Sequence, residues 1–351
     1  MPMARKNRAS SYWGGPTFLI LFLVLIVSLI ISTGKGYIKI SPGTVVDILY
    51  RGIIGELPDK GTNLEINYYV IWQVRLPRIL TAMVVGGSLS MAGVIFQAIL
   101  VNPLADPYTL GVSAGAAFGA SIALLLNIPF LGIYSVSIFA FFGALLTLVA
   151  VIFLSSNSGD ISSNNLILSG IIVSAILAAC ISFIKYIADE RVSVIIFWLM
   201  GSFNSKTWIE FFVVSISTFI GFLISFYFSR DINLMTLGDR SASALGISPS
   251  RLRIILLITA SMITAVSVSV SGIIGFVGLV VPHLMRFIIG PDNRKLLPAS
   301  TLAGAVILLW ADTITRAFLP REIPIGVLTA LIGGPFFCFI FKRRKNIGFY
   351  G

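Results

Sequence analysis

Charge is the scarcest component of this sequence. Asp, Glu, Lys and Arg make up only 11% of its 351 residues, where a soluble domain carries about 25%. An ordinary water-exposed enzyme surface is therefore excluded. Histidine occurs once and cysteine twice. Cys180 and Cys338 lie far apart in apolar runs, which gives neither a metal-ligand spacing nor a disulfide framework. No G-x-x-x-x-G-K-[ST] loop occurs, so the chain has no phosphate loop for ATP. No nucleophile–base pair and no metal-ligand cluster stands out, so no catalytic residue, bound metal or cofactor is expected. Carboxylates are also missing from the middle of every apolar run, where an ion-coupled carrier would keep one, because a charge at that depth is costly and survives only for function. The lone His283 follows Pro282 near the end of a run. It is either a helix-end side chain facing solvent or protein, or a proton relay, and the first is simpler.

What is abundant is apolar length: 57% of residues are hydrophobic and the mean hydropathy is +0.98. A membrane span needs about 20 mostly apolar residues. The uncharged intervals supply ten of them, at 17–33, 79–100, 109–126, 134–154, 161–184, 211–229, 254–271, 272–289, 296–311 and 323–341. The break between the third and fourth is Asn127-Ile128-Pro129, and that between the seventh and eighth is Ser271-Gly272. Residues 35–78 read as a sizeable polar loop, and 230–253 as a polar, helix-friendly segment. The apolar stretch 192–203 is about a dozen residues long, which suits an interfacial or re-entrant helix. The expected fold is a single all-α membrane domain over 1–351.

The formal charge of +11 would suggest nucleic acid in a soluble protein. Here it sorts by topology. Arg5, Lys6 and Arg8 precede the first span, and Lys342, Arg343, Arg344 and Lys345 follow the last. The positive-inside rule puts both ends in the cytoplasm, which requires an even number of spans. Most of the surplus then faces the cytoplasm, and no nucleic-acid partner is needed. Gly111, Gly115 and Gly119, together with the Gly86-Gly87…Gly93 and Gly272…Gly275…Gly278 series, read as ridges that let helix backbones approach closely in lipid.

Several ordered motifs carry a resemblance. Arg75-Leu76-Pro77-Arg78 opens a Gly/Ala-rich span. Gln97-Ala98, Asn102-Pro103-Leu104-Ala105-Asp106-Pro107 and Leu110-Gly111-Val112-Ser113 follow. Further on come Leu237-Gly238-Asp239, Ala244-Leu245-Gly246, Gly275-Phe276-Val277-Gly278-Leu279-Val280-Val281-Pro282-His283, Pro324-Ile325-Gly326-Val327 and Gly333-Gly334-Pro335. In this order they resemble the FecCD-type permeases of ATP-binding-cassette importers for iron siderophores, haem and vitamin B12. The resemblance implies ten helices per subunit, a homodimeric pathway in the cell membrane, two ATPase subunits on the cytoplasmic side that use ATP and Mg, and an extracytoplasmic solute-binding protein. The transported solute would be a metal chelate, with ferric siderophore, haem and cobalamin undistinguished. An ion-coupled secondary transporter is the alternative.

The same resemblance assigns roles. Within 230–253, Leu237, Gly238, Asp239, Arg240, Ala244, Leu245 and Gly246 would contact the ATPase; the bland reading is a solvated loop. Arg75, Arg78 and Arg316 would dock carboxylates of the binding protein, since the arginine fork binds a carboxylate in a bidentate way. Arg321 is a weaker candidate of this kind. The local alternatives are helix-end snorkelling and, for Arg316, an i, i+4 pair with Asp312. Asn102 and Leu104, with Ser162, Ser163 and Asn164, would form the cytoplasmic gate; capping by Ser163 or Asn102 is the local alternative. Phe197, Trp198 and Met200 on the short helix would face a bulky ligand at the outer mouth, although an interfacial helix displays the same residue types.

Overall fold

Each apolar run singled out above is helical over most of its length. The computed structural model describes residues 14–36, 38–59, 61–128, 132–157, 160–317 and 322–345. Arg5, Lys6, Arg8, Pro129 and Arg321 lie outside them. The elements are α1 (Gly14–Gly34), α2 (Pro42–Ile54), α3 (Asn63–Tyr69), α4 (Leu76–Ile99), α5 (Val112–Leu126), α6 (Ser135–Ser155), α7 (Ser163–Ile187) and α8 (Val192–Leu199). They continue with α9 (Trp208–Tyr227), α10 (Ser229–Met235), α11 (Asp239–Ala244), α12 (Pro249–Ser271), α13 (Val277–Ile289), α14 (Asn293–Ala317) and α15 (Ile325–Lys345). Extended pairing among the described residues is limited to Ser156–Asn157 against Asp160–Ile161.

Seven helical stretches among the described residues are long and apolar enough to cross a membrane. They are α1, the run from α3 through α4, α6, α7, α9, α12 and α14. Three shorter apolar helices, Val112–Leu126, Val277–Ile289 and Ile325–Phe339, complete the bundle. At 1.5 Å per residue, the 13 residues of α13 reach only about 20 Å.

The stretch 35–78 is not the loop its charges suggest. The Ser41 hydroxyl accepts from the Thr44 amide to start α2, and Gly55 closes it in the left-handed region. The Thr62 hydroxyl caps α3 at the Glu65 amide, and the helix then runs through a π-helical turn, Val70–Arg75, directly into α4. The apolar residues Val45, Ile48, Ile71 and Leu76 are spaced among polar ones but converge into one buried cluster with Ile40. A period-3.6 stripe of this kind is diluted in a running hydropathy count.

Helix α4 is the axis of the bundle. Its most apolar window is 83% buried, against 22% for α1 and 28% for α6, α7 and α9. The latter present Phe22, Leu146, Phe153, Ile176, Phe219 and other large apolar side chains outward, as lipid-facing helices do. Glycine sets the closest approaches. A Cβ on Gly93 would lie 1.8 Å from the Gly278 carbonyl oxygen, and one on Gly115 would lie 2.4 Å from that of Gly143. Gly111 does not belong to the same ridge: it caps α5 with φ +76°.

The chain reverses between α12 and α13 at 272–276, where the sequence places the break. Gly278 packs against Pro107 and the Leu89 carbonyl near the middle of α4. The Tyr108 hydroxyl accepts from the Ile274 amide at 3.1 Å and donates to the carbonyl of the same residue. Irregular backbone at this depth is tolerable because protein groups satisfy it.

Candidate functional site

Polar groups gather at the two ends of α4. The first gathering, at its Arg75 end, contains the three arginines predicted to dock a partner, and all are engaged within the chain. Arg75 is 5% exposed; its Nη1 donates to the Thr33 carbonyl at 2.7 Å and its Nη2 to that of Ile38. Arg78 Nε donates to Asp312 Oδ1 at 2.9 Å, and its two terminal nitrogens reach the Glu322 carboxylate at 3.2 and 3.3 Å. Arg316 donates to the Ser32 carbonyl at 3.0 Å and to that of Lys35, while its Nε faces Asp312 Oδ2 at 3.7 Å. The i, i+4 pair considered from the sequence is therefore present. Asp312 is fully buried at 0% exposure, inside a helix that continues past the predicted span end at 311. These contacts tie α1, α4 and α14 together. Three guanidiniums face two carboxylates, so the cluster keeps a positive surplus.

The second gathering, at the Ile99 end, brings together two groups of residues that are distant in sequence. A cavity of about 450 Å³ is lined by Ser162, Ser163 and Asn164 on one side and by Leu237, Gly238, Asp239 and Arg240 on the other. Three of the five predicted gate residues and four of the seven predicted coupling residues thus share one recess, and Asn102, Leu104, Ala244, Leu245 and Gly246 are not among its lining. Segment 230–253 folds as α10, α11 and the first turn of α12. Leu237 and Leu245 are 61% and 58% exposed, while Ala242 is fully buried and turns the helix back onto the protein. Arg240, Ala244 and Gly246 are exposed as well. The knob is also fastened from α10: Asn233 Nδ2 donates to Asp292 Oδ1 at 2.8 Å, and Asn233 Oδ1 accepts from the Asn293 amide at 2.8 Å.

Ser162, not Ser163, caps α7, accepting from the Asn165 amide at 3.2 Å. Ser163 reaches away instead and donates to the Ile99 carbonyl at 3.1 Å. The Asn102 side chain accepts from the Leu104 amide at 2.9 Å, a local turn that leaves Leu104 43% exposed. Beyond it, Asp106 Oδ1 accepts from the amides of Tyr108 and Thr109. Burial pushes the Asp106 carboxyl above its usual range, against those hydrogen bonds.

The short helix α8 does not present its three predicted residues together. Phe197 is 65% exposed, Trp198 packs into the layer formed by α5, α6 and α12, and Met200 lines an open cleft of about 580 Å³ with Leu199, Ile273, Val327 and Leu331. The cleft is framed by backbone: the Gly326 amide donates to the Met200 carbonyl at 3.0 Å and the Ser202 amide to that of Ser271 at 2.8 Å. His283 is buried and stands edge-on to Phe287 at 4.9 Å between ring centres.

One buried residue at the Ile99 end escaped the sequence reading. Arg253 ends the polar segment 230–253, yet it is 1% exposed. Its position was legible, because 253, 256, 257 and 260 form the buried i, i+3, i+4, i+7 stripe of α12.

An all-helical bundle with long apolar helices, a polar recess at one end and an arginine cluster at the other defines a membrane transport subunit. The sequence pattern of the FecCD transport family matches residues 23–343, and the chain belongs to that family. It is 38% identical to the molybdate import system permease protein MolB of Haemophilus influenzae, over 93% of this chain and 96% of that protein. It is 39% identical to the hemin transport system permease protein HmuU of Yersinia pestis, over 79% of this chain and 84% of that protein. A solved structure described as an inward-facing conformation of a metal-chelate type ABC transporter superposes with a TM-score of 0.81 at 34% identity, covering 93% of this chain and 98% of the other.

Proposed function

We propose that this chain is the permease subunit of an ATP-binding-cassette importer for a metal chelate, a ferric siderophore, haem or cobalamin. It works as a homodimer in the cell membrane, crossing it ten times with both termini in the cytoplasm. The three shorter apolar helices are crossings as well, and α13, about two-thirds of the length a span needs, is completed by the irregular backbone at 272–276. The Ile99 end then faces two ATPase subunits, which hold ATP and Mg; this chain holds no cofactor. The opposite end receives the loaded solute-binding protein. The observation that carries this reading is the shared recess at the Ile99 end, where an exposed, doubly fastened apolar knob adjoins the mouth of the bundle. Leu237 and Leu245 seat in the ATPase, and Asn102, Leu104, Ser162, Ser163 and Asn164 close the pathway.

At the other end, the positive surplus of the Arg75–Arg78–Arg316 cluster attracts acidic residues of the binding protein. The cleft at Met200 favours a bulky, partly apolar solute, because its walls are aliphatic side chains. A small doubly charged oxyanion such as the one named for MolB is better held by charged or hydroxyl side chains, and the side chains lining this cleft are apolar.

Reconstitution into liposomes with the cognate ATPase and binding protein tests the proposal. ATP-dependent uptake of one of the three chelates, and not of molybdate, is expected. Uptake that needs no ATPase and collapses with a protonophore would replace it with the ion-coupled reading.

A further inference from the structure

Arg253 is a cation with 2% side-chain exposure, and a buried charge is tolerable only when it is paired and hydrogen-bonded. Two of its partners come from different elements. Nη2 meets Asp239 Oδ1 of α11 at 2.6 Å, and Nε donates to the carbonyl of Ile99, the last residue of α4, at 3.1 Å. That carbonyl is available for a local reason. In a continuing helix it would accept from the amide four residues on, but position 103 is proline and has no N–H. The orphaned oxygen is shared by Arg253 and by the hydroxyl of Ser163 in the first turn of α7. A chain of polar contacts therefore runs from α11 through Arg253 to the Ile99 carbonyl and on to Ser163, crossing four helices at the lip of the recess.

The two bonds differ in what would break them. The Ile99 and Ser163 groups lie inward, whereas Asp239 is 52% exposed on the helix flanked by Leu237 and Leu245. Pulling α11 away from Arg253 would break the Asp239 ion pair of a buried guanidinium. Moving α11, α12 and the ends of α4 and α7 together keeps every bond. A stiff link of this kind is what converts displacement of one element into rearrangement of another.

We propose that Arg253 is the positioning residue that transmits movement of the coupling helix α11 to the gate formed by 101–104 and 162–164. The proposal rests on the importer reading above and adds to it a named route. Arginine is required because one side chain must serve a carboxylate and a carbonyl from separate nitrogens; lysine supplies charge but not the fork.

The experiment uses the complete importer in liposomes, with uptake and ATP hydrolysis measured on the same preparation. Spin labels at Asn165 of the two subunits report gate movement on ATP binding. For Arg253→Gln the expected result is assembly with the ATPase and hydrolysis within about twofold of wild type, while uptake per ATP falls by at least about tenfold, the scale of a lost charge-assisted bond. The ATP-dependent change in label distance should disappear. Arg253→Lys should be nearly as defective. Full coupling in Arg253→Lys would overturn the two-partner link, and normal uptake per ATP with normal label movement in Arg253→Gln would overturn the proposal altogether. If Arg253→Gln fails to accumulate, Ser163→Ala decides: a fall of about threefold in uptake per ATP supports the route, and no change refutes it. A wild-type chain that neither binds nor couples to the ATPase would instead refute the importer reading, so the two failures are distinguishable.

Discussion

The two ends of α4 spend their arginines differently. At the Arg75 end, guanidiniums close onto carbonyls of the last turn of α1 and the segment after it, and onto Asp312, which is wholly buried. Ser32, Thr33 and Asp312 of this cluster are held by the long helices α1 and α14, so it acts as a clamp. At the Ile99 end, Arg253 is as deeply buried, but its partner Asp239 sits on a six-residue helix flanked by two exposed leucines. That makes it a joint. The contrast shows that a buried ion pair's role depends on what its partner is attached to, more than on burial or distance.

The largest effect should come from breaking the clamp. Asp312→Ala leaves Arg78 and Arg316 without their shared buried counter-charge, and removing one partner of a buried ionic group costs about 3–5 kcal/mol. Thermal unfolding of the purified permease in detergent should show this loss directly. An unchanged midpoint would mean that Glu322 alone neutralises the cluster and that the clamp is not one.

A change in packing should come next. Gly93→Ala places a Cβ where the Gly278 carbonyl now sits, and overpacking of a well-filled interior costs about 1–3 kcal/mol. Because α4 and α13 meet there, the same unfolding measurement should report it. Gly238→Ala, with nothing within 4 Å of the new atom but φ at +91°, separates backbone strain from crowding.

The joint should behave in the opposite way. Leu237→Asp and Leu245→Asp change exposed positions, so stability should stay within about 0.5 kcal/mol. Binding of the ATPase should weaken by about tenfold or more if these leucines are the anchors of that interface. Co-purification and titration with the ATPase measure the second quantity. Loss of stability without loss of binding would invert the assignment of clamp and joint.

Much of this arrangement was legible in the residues. Long uncharged runs locate the helices, because crossing lipid demands length and apolarity together. Gly272 marks the reversal between α12 and α13, and the polar composition of 230–253 marks segments that cannot be spans. Two things were hidden. Residues 35–78 are helical because scattered apolar positions converge on Ile48 and Ile71, and scattering defeats an average taken along the chain. The arginine partners were hidden by separation: Asp312 is 234 residues from Arg78, and Ile99 is 154 from Arg253. A positive charge near a span end looks the same whether it faces water or a buried carboxylate. Only the helical stripe distinguishes them. Arg251 and Arg253 are two residues apart, hence about 200° apart around the helix, and only the second shares its face with Leu256, Leu257 and Ala260.

The smallest predicted effect bears on whether the clamp also docks a partner. Glu322 is the one member of the cluster with a largely open side chain, 47% exposed, and it occupies the terminal nitrogens of Arg78 in the way an incoming carboxylate would. If acidic residues of a binding protein are received here, Glu322 competes with them. Glu322→Gln removes the competitor while Asp312 still neutralises Arg78 from below. Exposed pairs are worth about 1 kcal/mol or less, so docking should tighten by no more than about fivefold. The gain should shrink at high salt, as rim charges act largely through steering. Binding of the solute-binding protein to the permease in lipid nanodiscs, at two ionic strengths, measures both. Weaker docking in Glu322→Gln would make Glu322 itself a contact and leave Arg78 a purely internal residue, and the Arg75 end would then be a clamp and nothing more.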